Sequence, residues 1–131
     1  MKIVPIMGPP CAGKTTTARE LLEPGDVIVD LDALAHALGY PAEHIDHDEP
    51  PHAAVTLAWR ARASILKALT QERRHPAATA LVIATDGIIG LHSMRVDPGP
   101  DVCHQRADTD GRPASTHAQI DAWYTRHGRT T

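Results

Sequence analysis

Gly8-Pro9-Pro10-Cys11-Ala12-Gly13-Lys14-Thr15 is the stretch on which the reading of the fold turns. Before it, Lys2 to Met7 is a short apolar run in which β-branched Ile3, Val4 and Ile6 favour a strand. After it, Thr17, Ala18, Leu21 and Leu22 recur at three- and four-residue spacing until Pro24-Gly25 stops the segment, so a helix begins at Lys14. Asp26-Val27-Ile28-Val29-Asp30 is a second apolar run. Strand, glycine loop, helix and strand make the βαβ unit of a parallel sheet, and an α/β class with a short, mostly parallel sheet follows.

The rest of the chain extends that pattern. Residues 41 to 52 are polar with three prolines and read as an exposed loop. Ala53 to Glu72 reads as a long helix with Val55, Trp59, Leu66 and Leu69 on one stripe, alanines beside it, and Arg60, Lys67 and Arg74 along another face. Ala80 to Asp86 reads as a buried parallel strand closed by an acid. Residues 93 to 97 suggest a fourth strand, although a parallel crossover usually needs a dozen or more residues and far fewer are present. Ser115 or Thr116 is expected to cap a last helix, running to about Arg126 and burying Ile120 and Trp123.

At 131 residues and 42% apolar content the chain suits a single domain. Thirteen basic against 16 acidic residues give a net charge of −3, which leaves no chain-wide positive field for nucleic acid or an anionic membrane. The charge is nonetheless uneven: residues 23 to 52 hold eight acids and no Lys or Arg, and 53 to 79 hold five bases and one acid. No run approaches the roughly 20 apolar residues of a membrane span, and the N-terminus lacks an export signal, so a cytoplasmic protein is expected. Cys11 and Cys103 are too few for a disulfide scaffold and are expected as free thiols.

The quoted stretch matches G-x-x-x-x-G-K-[ST] between a strand and a helix, the context that this phosphate-cradling pattern requires. Glycines let the backbone wrap so that successive N–H groups face phosphate oxygens, and the helix N-terminus adds partial positive charge. On this reading Gly8, Pro9, Pro10, Cys11, Ala12 and Gly13 form the cradle. Lys14 reaches the β- and γ-phosphates, Thr15 offers its hydroxyl to Mg²⁺, and Thr16 adds a hydrogen bond. Cys11 is a small loop residue in preference to a redox switch, although a helix N-terminus favours a thiolate.

Asp30 and Asp32 close the second strand, at the edge where open α/β sheets bind ligands; Asp32 is the candidate general base, and the competing role for either is to cap the next helix. Asp86 is a candidate magnesium-orienting acid or, equally, the start of a turn before Gly87. Arg106 and Arg112 lie in a polar stretch that reads as a short lid able to place a guanidinium on phosphoryl charge. His44, His47 and His52 stand among acids, but without a helical i, i+4 frame they do not spell a zinc site.

The order of these parts resembles the small P-loop kinases, a group that includes polynucleotide 5′-hydroxyl kinases and zeta-toxin-like kinases and whose phage and actinobacterial members are often labelled AAA-family ATPases. The resemblance is specific at Gly8 to Thr16 and implies a trimmed three-layer P-loop NTPase fold. It further implies ATP or GTP with Mg²⁺ as cofactors, Lys14 and Thr15 at phosphate and metal, Asp32 as the base, and Arg106 or Arg112 as the lid arginine. The implied activity is transfer of a γ-phosphoryl group to a small-molecule or nucleotide acceptor. Polynucleotide-type members often carry Asp-Asp-x-Arg after the second strand; here the run is Asp32-Ala33-Leu34-Ala35, which disfavours a nucleic-acid 5′ end as acceptor. Asp108 and Asp110 also stand between the two arginines. The alternative is a regulatory module that binds nucleotide without efficient transfer.

Overall fold

The computed structural model describes residues 1 to 128. Four strands and five helices follow one another as β1 (Lys2–Met7), α1 (Lys14–Leu21), β2 (Val27–Val29), α2 (Leu31–Ala37), α3 (Ala53–Gln71), β3 (Thr79–Ile83), β4 (Met94–Arg95), α4 (Pro100–Thr109) and α5 (Ala114–His127). The strands form a small parallel sheet in the order β2-β3-β1-β4, so the chain is α/β. It packs as two compact units: Met1–Ile3 with Leu22–Val82, and Val4–Leu21 with the chain from Ile83 onward.

In the first unit β2 runs beside β3, with Val27, Ile28 and Val29 opposite Ala80, Leu81 and Val82. The turn before β2 is tied to the start of β3 because Asp26 accepts from the backbone N–H of Thr79 at 2.8 Å. Helices α2 and α3 meet through Ala35, Ala54 and Ala58, each almost fully buried, with Tyr40 beside them. Alanine faces let two helices approach closely, so the buried stripe of α3 is Ala54, Ala58 and Leu69. Leu69 and Val55 of the expected stripe lie on the packed side, whereas Trp59 lies on the outer side, 50% exposed. Residues 41 to 52 hold no helix or strand, as expected.

The second unit explains an oddity of β1, a proline in an inner strand. Ile6 faces β3, accepting from the N–H of Ala84, and Met7 faces β4, accepting from the N–H of Val96. By alternation Pro5 faces the β4 side, where pairing begins only at Ile6 opposite Met94, so its missing N–H costs no ladder bond. The fourth strand is real, and it lies beside β1 rather than β3, reached across residues 84 to 93 with no helix in the connection.

Three further expectations are corrected. The stretch holding Arg106 is helical: Pro100 sits at its first turn, Asp101 is the first-turn acid, and only small Cys103 and Ala107 are buried. Pro113 takes the N-cap of α5 with no side-chain cap, so Ser115 and Thr116 lie inside the first turn, although Ile120 and Trp123 are fully buried as expected. Helix α1 buries Ala18 alone, leaving Leu21 and Leu22 exposed.

Candidate functional site

The glycine loop leaves β1 at Gly8 and enters α1 at Lys14. Its shape is set residue by residue. A Cβ at Gly8 would collide with the backbone carbonyl oxygen of Val96, the residue that pairs β4 to β1. Gly13 has φ +93°, which side chains other than hydrogen resist. Cys11 adopts φ 62°, alone among the described non-glycine residues in the left-handed region. Pro9 is fully buried, and the N–H of Ala12 returns to its carbonyl at 3.3 Å.

Cations gather on this loop. The Lys14 ammonium donates to the carbonyls of Gly8 at 2.7 Å and Pro9 at 3.0 Å. From α4 the Arg106 guanidinium donates to the carbonyls of Cys11 at 3.3 Å and Ala12 at 3.1 Å. Arg112, in the turn between α4 and α5, is half-buried with its Nε enclosed and without a hydrogen-bond partner among the described residues. Burial pushes the Cys11 thiol above its ordinary value, against the lowering pull of Arg112, Lys14 and Arg106, with Asp110 adding to the rise. Burial thus outweighs the pull of the three cations on the thiol.

The carbonyl of Thr85 accepts from the N–H of Gly8 at 3.3 Å and from the indole N–H of Trp123 at 2.7 Å. Trp123 therefore ties α5 to the start of the loop, a positioning role that its apolar spacing in the sequence did not signal.

The candidate carboxylates are engaged elsewhere. Asp30 is the N-cap of α2, accepting from the N–H of Asp32 at 3.1 Å. Asp32, in the first turn, pairs with His44 Nδ1 at 3.2 Å and accepts from the N–H of Ile45 at 3.3 Å, anchoring the loop after α2. Asp86 lies beyond the end of β3 in a turn closed by the N–H of Gly87 on the Ala84 carbonyl at 2.9 Å. Its carboxylate meets His127 Nε2 at 2.7 Å and Arg126 at 3.0 Å. Burial pushes that carboxyl up, but the hydrogen bonds and charges of His127 and Arg126 prevail and hold it below its ordinary value. His52 caps α3 by accepting from the N–H of Ala54, and among the described residues no group of three or more His, Cys, Asp or Glu side chains is placed to hold a metal ion.

Asp97 is a carboxylate that the sequence reading passed over. Only 6% exposed, it follows β4 and accepts from Tyr124 at 2.5 Å, from Arg95 at 3.2 Å and from the N–H of Gly99 at 3.2 Å. Burial and then the Asp97 bond push the Tyr124 hydroxyl well above its ordinary value. These contacts hold the segment whose Val96 carbonyl backs Gly8. Both cysteines are free thiols. Among the described residues no helix is long and apolar enough to cross a membrane. No protein-family model matches the chain, and no curated protein is detectably similar to it.

Proposed function

We propose that the chain binds a nucleoside triphosphate with magnesium and moves its γ-phosphoryl group to a small-molecule or nucleotide acceptor. The observation that carries this reading is the gathering of Lys14, Arg106 and Arg112 on a glycine-shaped loop that opens a helix. A strand, that loop and a helix beside a parallel sheet also favour a trimmed three-layer P-loop NTPase architecture over other α/β folds. Lys14 would exchange its carbonyl partners for phosphate oxygens. Arg106 is occupied with loop carbonyls, which leaves Arg112 as the guanidinium for phosphoryl charge.

Magnesium fits the loop through the half-buried Thr15 at the start of α1, and supplies charge neutralisation across the phosphates when bound. Asp86 fits less well, because Arg126 and His127 already share its carboxylate. Asp32 remains the proposed base, and in that role it would surrender its bond to His44.

Those engaged carboxylates favour a second reading, a nucleotide-binding module without efficient transfer. Acceptor-dependent ADP release separates the two. Transfer predicts product with some member of a panel of small hydroxyl compounds and nucleotides, abolished by Asp32→Ala with nucleotide binding intact. Tight binding and no product across the panel selects the module. A nucleic-acid acceptor, disfavoured by the net charge of −3, would announce itself by steeply salt-dependent oligonucleotide binding.

A further inference from the structure

Away from the loop, α4 and α5 share a polar contact that neither transfer nor nucleotide binding uses. Each helix carries a histidine and an aspartate one turn apart, His104 with Asp108 and His117 with Asp121, which places both on one face. The pairs cross: His104 Nε2 lies 2.7 Å from Asp121, and His117 Nε2 lies 3.0 Å from Asp108. The two rings are parallel within 2°, and their Nδ1 atoms are 2.6 Å apart.

Carboxylates only accept, so each Nε2 carries a hydrogen. Two nitrogens at 2.6 Å need one donor and one acceptor. With both Nδ1 atoms bare, lone pair faces lone pair; with both protonated, N–H faces N–H. Only one proton between them suits the contact. We propose that α4 and α5 are clamped by a single proton shared between His104 Nδ1 and His117 Nδ1, making the helix pair a pH-responsive clamp.

The charged groups on the two rings are Asp108 from α4 and Asp121 from α5, each accepting from an Nε2 and so leaving only the Nδ1 pair to share a proton. Raising pH removes that proton and lowering pH adds a second to the other Nδ1, so the clamp weakens in both directions. Because α4 also carries Arg106, the clamp steadies the helix that holds the carbonyls of Cys11 and Ala12. None of this depends on a nucleotide.

The test uses the full chain labelled with ¹⁵N-histidine in metal-free buffer. The clamp predicts a scalar coupling between the two Nδ1 nuclei, and a melting temperature that peaks at an intermediate pH and falls on either side. His117→Phe keeps a ring and removes both nitrogens; it should melt roughly 3–6 °C lower at the peak and abolish the peak itself. Absence of the coupling at every pH from 5 to 9 would overturn the proposal, as would a peak that His117→Phe leaves unchanged. Stabilisation by zinc that a chelator reverses would also overturn it, by putting a metal in place of the proton. Should His117→Phe not fold, the coupling in the wild-type chain decides alone.

Discussion

Replacing Gly8 by alanine tests whether the loop is shaped by contact with β4. The added methyl meets the backbone carbonyl of Val96, with the Cβ of Ala12 at 3.4 Å on its other side. The carbonyl cannot swing aside freely, because the N–H of the same residue is bound to Met7 at 2.8 Å. Forcing a methyl into a packed place costs about 1–3 kcal/mol, and a rigid obstacle points to the upper half of that range. The loss of glycine's freedom in the unfolded chain returns about 0.4–1 kcal/mol. The net, about 1–2.6 kcal/mol, corresponds to a melting temperature lower by roughly 4–9 °C in a chain of this size. Gly25→Ala is the control: nothing lies within 4 Å of its added Cβ, so only the strain of φ +91° remains. Melting followed by circular dichroism, with urea titration to check that the slope is unchanged, reads both. A Gly8→Ala protein that melts within about 1 °C of wild type would refute the steric account.

Three other outcomes follow from the same geometry. Cys11→Gly, which relieves the left-handed φ of 62°, should melt within about 2 °C of wild type or above it, whereas β-branched Cys11→Val should lose about 1–2 kcal/mol by denaturant titration. Trp123→Phe removes the indole donor from the Thr85 carbonyl and should cost about 1–3 kcal/mol, read by thermal melting. Asp86, held below its ordinary 3.8 in the fold, contributes stability that is present above that value and lost as pH falls through the lower folded one. Asp86→Asn should therefore melt slightly below wild type at pH 7, by about 0.5 kcal/mol for so exposed a pair, and the difference should shrink as pH falls below 3.8.

The sequence was most legible where one residue's chemistry leaves few options. β1 ends at Met7 and α1 begins at Lys14, as the β-branched run and the loop pattern require. Asp30 settles on the capping role that competed with a catalytic one, because its carboxylate can reach the N–H of Asp32 two residues on. Legibility fails where burial falls to small side chains. Helix α4 buries only Cys103 and Ala107, too weak a stripe to announce itself, although Gly99-Pro100-Asp101 is a helix start that capping rules could have found. In α3 the expected stripe holds at Leu69 and Val55 but fails at bulky Trp59, which is half exposed, because the small Ala54 and Ala58 make the close contact with α2. The crossing His and Asp pairs of α4 and α5 depend on two helices meeting in one register, which no single stretch of chain encodes.

Equilibrium binding of ATP with magnesium, followed by calorimetry, tests the central claim most directly. The account predicts saturable binding by the wild-type chain, at least tenfold weaker in Lys14→Ala and Arg112→Ala, a loss of about 1.4 kcal/mol or more apiece. No heat of binding from ATP or GTP at millimolar concentration, or equal affinity in all three proteins, would contradict it.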